Sequence, residues 1–404
     1  MKFIPGGVTA PVGYRANGLL CGIKKGRTKP DLALIVSDVP ASAAGVYTSN
    51  LVKGAPVTLT KKHLENGVAR AVLCNSGNAN TCNPDGPQIA EDMCELLAAE
   101  LGIAPEDVII GSTGVIGQPL PIEPVAKTMP ALVAGLSVEG GSLAAEAIMT
   151  TDTVKKEFAC ELELGGKTVR IGLICKGSGM IAPNMATMLC FITTDAAITA
   201  ELLHKALKYA IDRSINCVVV DGDQSTNDTA AIMANGLAGN ALIESENGDY
   251  LAFREALCEL TASAARLLAS DGEGATRLLT CHVTGAPDYE SGKTVARTII
   301  GSSLVKCAFF GADANWGRIL CAIGYAGVEL DVTRISVTFE SASGRIDLCR
   351  DGAGLEFDEE LAKKLLCQKQ IDIIVHLGQG DASATAWGCD MTYDYVKING
   401  DYRT

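Results

Sequence analysis

A mixed α/β fold is predicted for this chain of 404 residues. Three observations predict it. Short apolar runs, which read as buried strands, alternate with segments whose apolar residues recur at helical spacing. Glycine, at 43 residues, sits at most of the junctions between them. Apolar residues make up 48% of the chain, enough for a sizeable core.

In chain order, DLALIVSDV from Asp31, ARAVLCNSG from Ala69 and DVIIGSTGVIG from Asp107 read as buried strands that leave into Gly-rich turns. PQIAEDMCELLAAELG, between the last two, reads as a helix stopped by Gly102. Residues 125–148 read as one or two further helices. ELELGGKTVRIGLICKGSG is a β-hairpin, because two alternating runs meet at Gly165–Gly166. Beyond Ala186 the same mixture continues. TMLCFITTDAAI is a strand, TAELLHKALKYAIDRSI an amphipathic helix, and NCVVVDGDQSTND a strand ending in an acidic loop. LAFREALCELTASAARLLASDGEG is a long helix, and ARTIIGSSLVKCAFFGADANWGRILCAIGYAG holds helical stretches around a Gly/Asp/Asn-rich loop. RISVTFE, GRIDLCR, IDIIVHLG and ATAWGCDMTYDYVKI read as strands. No internal repeat, low-complexity tract or Pro/Ser-rich linker interrupts the chain, so the regions before and after residue 186 are expected to pack as one body.

Charge and composition narrow the function. A formal net charge of -13 argues against nucleic acid, which needs clustered Lys and Arg, and against an anionic membrane surface. The start, MKFIPGGVTAPVGYRANG, lacks the apolar run of a secretory signal, and no uncharged apolar stretch is long enough for a membrane span. The expected compartment is the cytoplasm. The 15 Cys are scattered singly and without CxxC pairs, and they read as reduced, mostly buried small hydrophobes. The four His lie far apart without zinc-site spacing, so no structural metal is expected. Asp221 and Asp223 in VVVDGDQSTND could suggest a cation site, but they read first as a capped acidic loop.

The most informative stretch is Lys176 to Thr194, KGSGMIAPNMATMLCFITT. Lys176 closes an apolar strand, Gly177 and Gly179 flank Ser178, and Pro183 stiffens the approach to Ala186 and Thr187. On pattern alone, Thr187 is an ordinary strand threonine.

KGSGMIAPNMATML resembles the cleavage segment of the ornithine acetyltransferase family, also called glutamate N-acetyltransferase. GGVTAPVGYRANG near the start, CNSGNAN at Cys74, GSTGVIG at Gly111, MTTDT at Met149, DGEGATRL at Asp271, GADANWGRIL at Gly311 and the final KINGDYRT resemble that family too, in its order. The resemblance implies layered sheets sandwiched between helices and self-cleavage of the Ala186–Thr187 bond. The cut yields an α chain of 1–186 and a β chain of 187–404. These stay together and assemble in the family as dimers of such heterodimers, α2β2.

The chemistry of that cut is consistent. A Thr hydroxyl is a weak nucleophile that needs an adjacent base. Once freed, the α-amine of Thr187 can serve its own Oγ, so one residue supplies both nucleophile and base. The resemblance further implies that Thr113 and Gly114 form the oxyanion hole. It implies that Lys176 pairs with a substrate carboxylate and that Thr150 or Thr151 hydrogen-bonds substrate. Glu273 is implied to face a cationic or amino group, and Asn399 and Thr404 to close the pocket. The activity implied is ping-pong transfer of acetyl from N2-acetylornithine to glutamate through acetyl-Thr187, with no cofactor. Three other readings stay open: an N-terminal-nucleophile amidohydrolase or aminopeptidase, a bifunctional form that also accepts acetyl-CoA, and a non-catalytic amino-acid-binding protein.

Overall fold

The structure, a computed structural model, describes residues 1–23, 26, 28–182 and 188–401. Two sheets organise them. The first has nine strands, in the order Lys2–Ile4, Lys156–Leu164, Lys167–Lys176, Leu189–Thr194, Thr229–Ala234, Leu32–Tyr47, Val68–Asn75 and Val108–Ser112, with Tyr14–Leu19 also paired to Leu32–Tyr47. Leu189–Thr194 and Thr229–Ala234, which follow residue 187, thus lie between strands that precede it. The second sheet runs Ala353–Gly354, Gly344–Arg350, Ser336–Ser341, Gln370–His376, Leu278–Ala286, Ala382–Cys389 and Val218–Val219.

Helix Gly248–Ser270 packs against Lys156–Leu164 of the first sheet and against Ala382–Cys389 of the second. Asn247 starts it by accepting the Tyr250 N–H at 2.9 Å. Helix Ala200–Arg213 lies beside it, and the leucines and alanines of both fill the main core between the sheets. Helix Tyr289–Gly301 covers the opposite face of the second sheet, where Gly292 and Gly388 allow close approach. Helices Ala55–His63, Gly86–Leu101 and Ile122–Ala134 cover the Val68–Asn75 and Val108–Ser112 end of the first sheet around a separate apolar cluster. The expected α/β layering is present.

The hairpin at Gly165–Gly166 forms as read: both glycines have positive φ, 55° and 74°, in a two-residue turn that matches strand twist. Several elements differ from the sequence reading. The strand from Leu32 continues through Pro40 to Tyr47, with a register shift between Val36 and Ala41 that accommodates the proline. Thr229–Ala234 is a fully buried strand without a sequence assignment. ATAWGCDMTYDYVKI is a strand only to Cys389, and Tyr393–Asp401 is helical. The chain turns because the Asp390 carboxylate accepts the N–H groups of Thr276 and Arg277, and Thr392 Oγ1 then accepts from the Tyr395 N–H.

Among the described residues no helix is long and apolar enough to cross a membrane, and no group of side chains suits a metal ion.

Candidate active site

The ends of several elements meet around a cavity of about 300 Å³. Its lining includes Thr113, Gly114, Thr150, Thr151, Lys176, Glu273 and Asn399, residues drawn from five separate sequence motifs. Ala186, Thr187 and Thr404 lie outside the described residues. Met188, next to Thr187, is 2% exposed and lines the cavity.

Thr113 and Gly114 follow strand Val108–Ser112 at the edge of the first sheet. The Thr113 N–H is spent on the Asn75 carbonyl at 2.9 Å, so the hydroxyl is the donor this residue can offer the cavity. Gly114 has φ 131°, and a Cβ there would come within 2.9 Å of the Asn78 nitrogen and the Gly77 carbonyl carbon. Only glycine fits that close approach. The neighbouring CNSGNAN loop is held by Asn75, whose Oδ1 accepts the N–H groups of Gly77 at 3.2 Å and Asn78 at 3.0 Å.

Lys176 ends the strand Lys167–Lys176, and its ammonium donates to Thr150 Oγ1 at 3.0 Å. Burial lowers the Lys176 pKa from its usual value, against the opposing pull of Asp152. Asp152 accepts the Thr150 N–H at 3.0 Å and the Gly177 N–H at 2.7 Å, which joins the MTTDT loop to the strand end. Glu273 follows the helix Gly248–Ser270, and its N–H donates to the Ser178 carbonyl at 3.0 Å. Its carboxylate accepts the Asn399 side-chain amide at 2.8 Å. A Cβ at Gly179 would overlap the Glu273 carboxyl group, so a larger residue there would displace that carboxylate.

The acidic loop caps backbone N–H groups. Asp221 turns its carboxylate onto the N–H groups of Met180 at 2.6 Å and Ile181 at 2.8 Å, and onto its own loop at Asp223. It thereby holds Met180 at φ 55°, in the left-handed region a non-glycine residue rarely occupies. Burial pushes the Asp221 pKa up. This agrees with the reading of a capped loop and gives the cap a place beside the KGSGMIAPNMAT segment.

Sequence reading missed Ser225, Thr226, Asn227 and Asp228, which also line the cavity. Asn227 uses its whole side chain: Nδ2 donates to the carbonyls of Ala79 at 2.5 Å and Ser112 at 2.9 Å, while Oδ1 accepts the hydroxyls of Thr81 at 2.6 Å and Thr226 at 2.5 Å. It fixes the turn that carries Thr113. The one signal for it in the sequence is a run of small polar residues, STND, directly before an apolar strand. All 15 Cys are free; Cys82, Cys307, Cys321 and Cys367 are exposed, while burial pushes thiols such as Cys74 up to about 12, so these buried thiols offer no thiolate nucleophile at neutral pH.

The arrangement provides hydroxyl and N–H donors on one side, a cation and threonine hydroxyls on another, and a carboxylate at the mouth. That set suits acyl transfer on a small molecule carrying both a carboxylate and an amine.

The model of the ArgJ family matches residues 15–404. The arginine biosynthesis bifunctional protein ArgJ of Symbiobacterium thermophilum is 51% identical, over 100% of both chains. The protein of the same name from Caldanaerobacter subterraneus subsp. tengcongensis is 47% identical, again over 100% of both. Among solved structures, the arginine biosynthesis bifunctional protein argJ of Bacillus halodurans matches with 43% identity and a TM-score of 0.50, covering 52% of this chain and 98% of that one.

Proposed function

The chain belongs to the ArgJ family, and from that premise we propose that it transfers acetyl from N2-acetylornithine to glutamate, through Thr187, in arginine biosynthesis. The observation that carries the proposal is the convergence of Thr113, Gly114, Thr150, Lys176, Glu273 and Asn399 on one cavity.

In this reading the Ala186–Thr187 bond is cut first. Thr187 Oγ attacks the Ala186 carbonyl, the acyl group moves from nitrogen to oxygen, and water hydrolyses the ester. The solved relative supports such a cut, because a chain matched over 98% of itself spans only 52% of this one, the length of one product of a break near the middle. The strands on either side of residue 187 share one sheet, which supports two chains that stay associated. Assembly as α2β2 is part of the same proposal.

Turnover then follows in two halves. The free α-amine of Thr187 takes the hydroxyl proton, and Oγ attacks the acetyl carbonyl of N2-acetylornithine. Thr113 and Gly114 donate to the developing oxyanion. The α-nitrogen of ornithine takes up the proton and leaves, and Thr187 carries an acetyl ester. The α-amine of glutamate attacks that ester, gives N-acetylglutamate and restores the hydroxyl. Lys176 pairs with the α-carboxylate of either amino acid, Thr150 or Thr151 donates beside it, and Glu273 receives the cationic end of ornithine. Ala79, Ile116 and Met188 give the cavity an apolar wall suited to the acetyl methyl. Asn399 holds Glu273, and Thr404 is assigned to the closing of the pocket. No step calls on a cofactor.

The experiment is a transfer assay with purified enzyme. Ornithine release from N2-acetylornithine is expected to depend on glutamate, with parallel lines in double-reciprocal plots. Release at the same rate in its absence assigns the chain to the hydrolases instead. The relatives' shared name, bifunctional, supports acetyl-CoA as a second acetyl donor, to be read as CoA release on adding glutamate.

A further inference from the structure

Two carboxylates, one from the MTTDT loop and one from DGEGATRL, meet at a single buried lysine. The Lys156 ammonium lies 2.7 Å from Asp152 and 2.6 Å from Asp271. The three side chains are 0%, 0% and 6% exposed in that order. Charges this far from water persist only when every member is paired and hydrogen-bonded. Here they are. Asp152 also accepts the Thr150 and Gly177 N–H groups, and Asp271 accepts the Thr153 N–H at 3.1 Å and the Thr153 hydroxyl. Burial alone would raise the Asp152 pKa, but the charges of Lys176 and Lys156 outweigh it and hold the carboxyl below its usual range.

The triad reaches three segments that no single helix or strand connects. Asp152 fixes Thr150 and the Lys176–Gly177 strand end. Asp271 fixes the far end of the same loop through Thr153. The Asp271 carbonyl accepts the Ser178 hydroxyl at 2.6 Å, and the Ser178 carbonyl accepts the Glu273 N–H. Each segment thus carries one substrate-facing side chain: Thr150, Lys176 or Glu273. Lys156 is not in the cavity lining, so it acts through these partners.

We propose that Lys156 is a positioning residue for amino-acid recognition, fixing the relative placement of Thr150, Lys176 and Glu273 through Asp152 and Asp271 before substrate arrives. The proposal rests on the acetyl-transfer reading given above. An acetylated amino acid must be gripped at its carboxylate and its cationic end together, and those two grips sit on segments far apart in sequence. Thr113 and Gly114 sit on the turn that Asn75 and Asn227 hold, which the triad does not touch. Loss of Lys156 therefore separates two functions: recognition of the amino acid fails, while acetylation of Thr187 by a simple ester continues.

The test compares wild type with Lys156→Met on N2-acetylornithine, on glutamate and on p-nitrophenyl acetate, an acetyl donor with neither carboxylate nor amine. The expected result is a fall of about a hundredfold in kcat/KM for both amino-acid substrates, the size that an ångström of misplacement produces. Most of it should appear in KM, with release of p-nitrophenolate unchanged and partial recovery in Lys156→Arg. Wild-type kcat/KM for the amino acids, or a parallel fall with p-nitrophenyl acetate, overturns the proposal. If Lys156→Met does not accumulate as folded protein, Asp271→Asn keeps the shape without the charge and is expected to show the same split. Hydrogen exchange of the unmodified enzyme needs no variant: the Thr150, Thr153 and Gly177 amides should exchange as slowly as core-strand amides, and rapid exchange there contradicts a preset site. A wild-type enzyme that does not use N2-acetylornithine overturns the acetyl-transfer reading and the proposal with it, whereas the variant comparison strikes the proposal alone.

Discussion

The side-chain amide of Asn399 donates to the Glu273 carboxylate at 2.8 Å, joining the C-terminal helix to the turn after the long inner helix across the mouth of the cavity. The contact aims a carboxylate that would otherwise swing freely in a turn. Asn399→Ala is expected to raise KM for N2-acetylornithine about tenfold, the order lost with one hydrogen bond to a charged group. Glu273→Gln should weaken the same substrate while the chain is still cut at Ala186–Thr187. Steady-state kinetics and a denaturing gel check the pair.

The glycine of the donor turn is not replaceable. At φ 131°, with a Cβ that would come within 2.9 Å of the Asn78 nitrogen, Gly114→Ala must shift the turn that carries Thr113. Gly114→Ala and Thr113→Ala are expected to slow both self-cleavage and turnover by about 10²–10³, since both steps pass through a tetrahedral oxyanion. Rates of appearance of the two fragments and of ornithine report the two steps separately.

Burial lowers the Lys176 pKa, so this lysine loses its proton at lower pH than an exposed lysine does. In the proposed mechanism the charged form binds the substrate carboxylate. KM for N2-acetylornithine is therefore expected to rise as pH climbs through that lowered pKa, and substrate binding above it should take up a proton. Lys176→Arg, which stays charged, should remove the alkaline rise. A KM–pH profile for the two proteins decides it.

The KGSGMIAPNMAT segment motivates the proposed cut at Ala186–Thr187. Purified protein is expected to give two fragments, beginning at Met1 and Thr187, and Thr187→Ala a single chain. N-terminal sequencing checks both. Two fragments from Thr187→Ala would assign the cut to another protease.

Much of this site was legible in the sequence because its residues lie in short motifs with local signatures. GSTGVIG leaving a strand, a lysine closing the next hairpin and a glutamate between glycines after a long helix all mark their positions without a fold. Asn227 and Lys156 carry no such mark. Their importance lies in what they meet: Asn227 binds carbonyls of Ala79 and Ser112, and Lys156 joins Asp152 to Asp271, across more than a hundred residues of chain in each case. The helix Tyr393–Asp401 was hidden for a related reason. Local alternation in MTYDYVKI favours a strand, and the turn that prevents it is made by Asp390 on the backbone of Thr276 and Arg277. The buried strand Thr229–Ala234 follows a polar loop and is too small and alanine-rich to announce itself by pattern.

If acetyl passes through Thr187, the β chain itself must carry it, and intact-mass spectrometry of that fragment reads the adduct. Mixed with N2-acetylornithine alone, the 187–404 fragment is expected to gain one acetyl, about 42 Da for a single ester on the nucleophile, and to lose it when glutamate is added. A fragment whose mass never changes, or an adduct that water discharges as fast as glutamate does, contradicts the account.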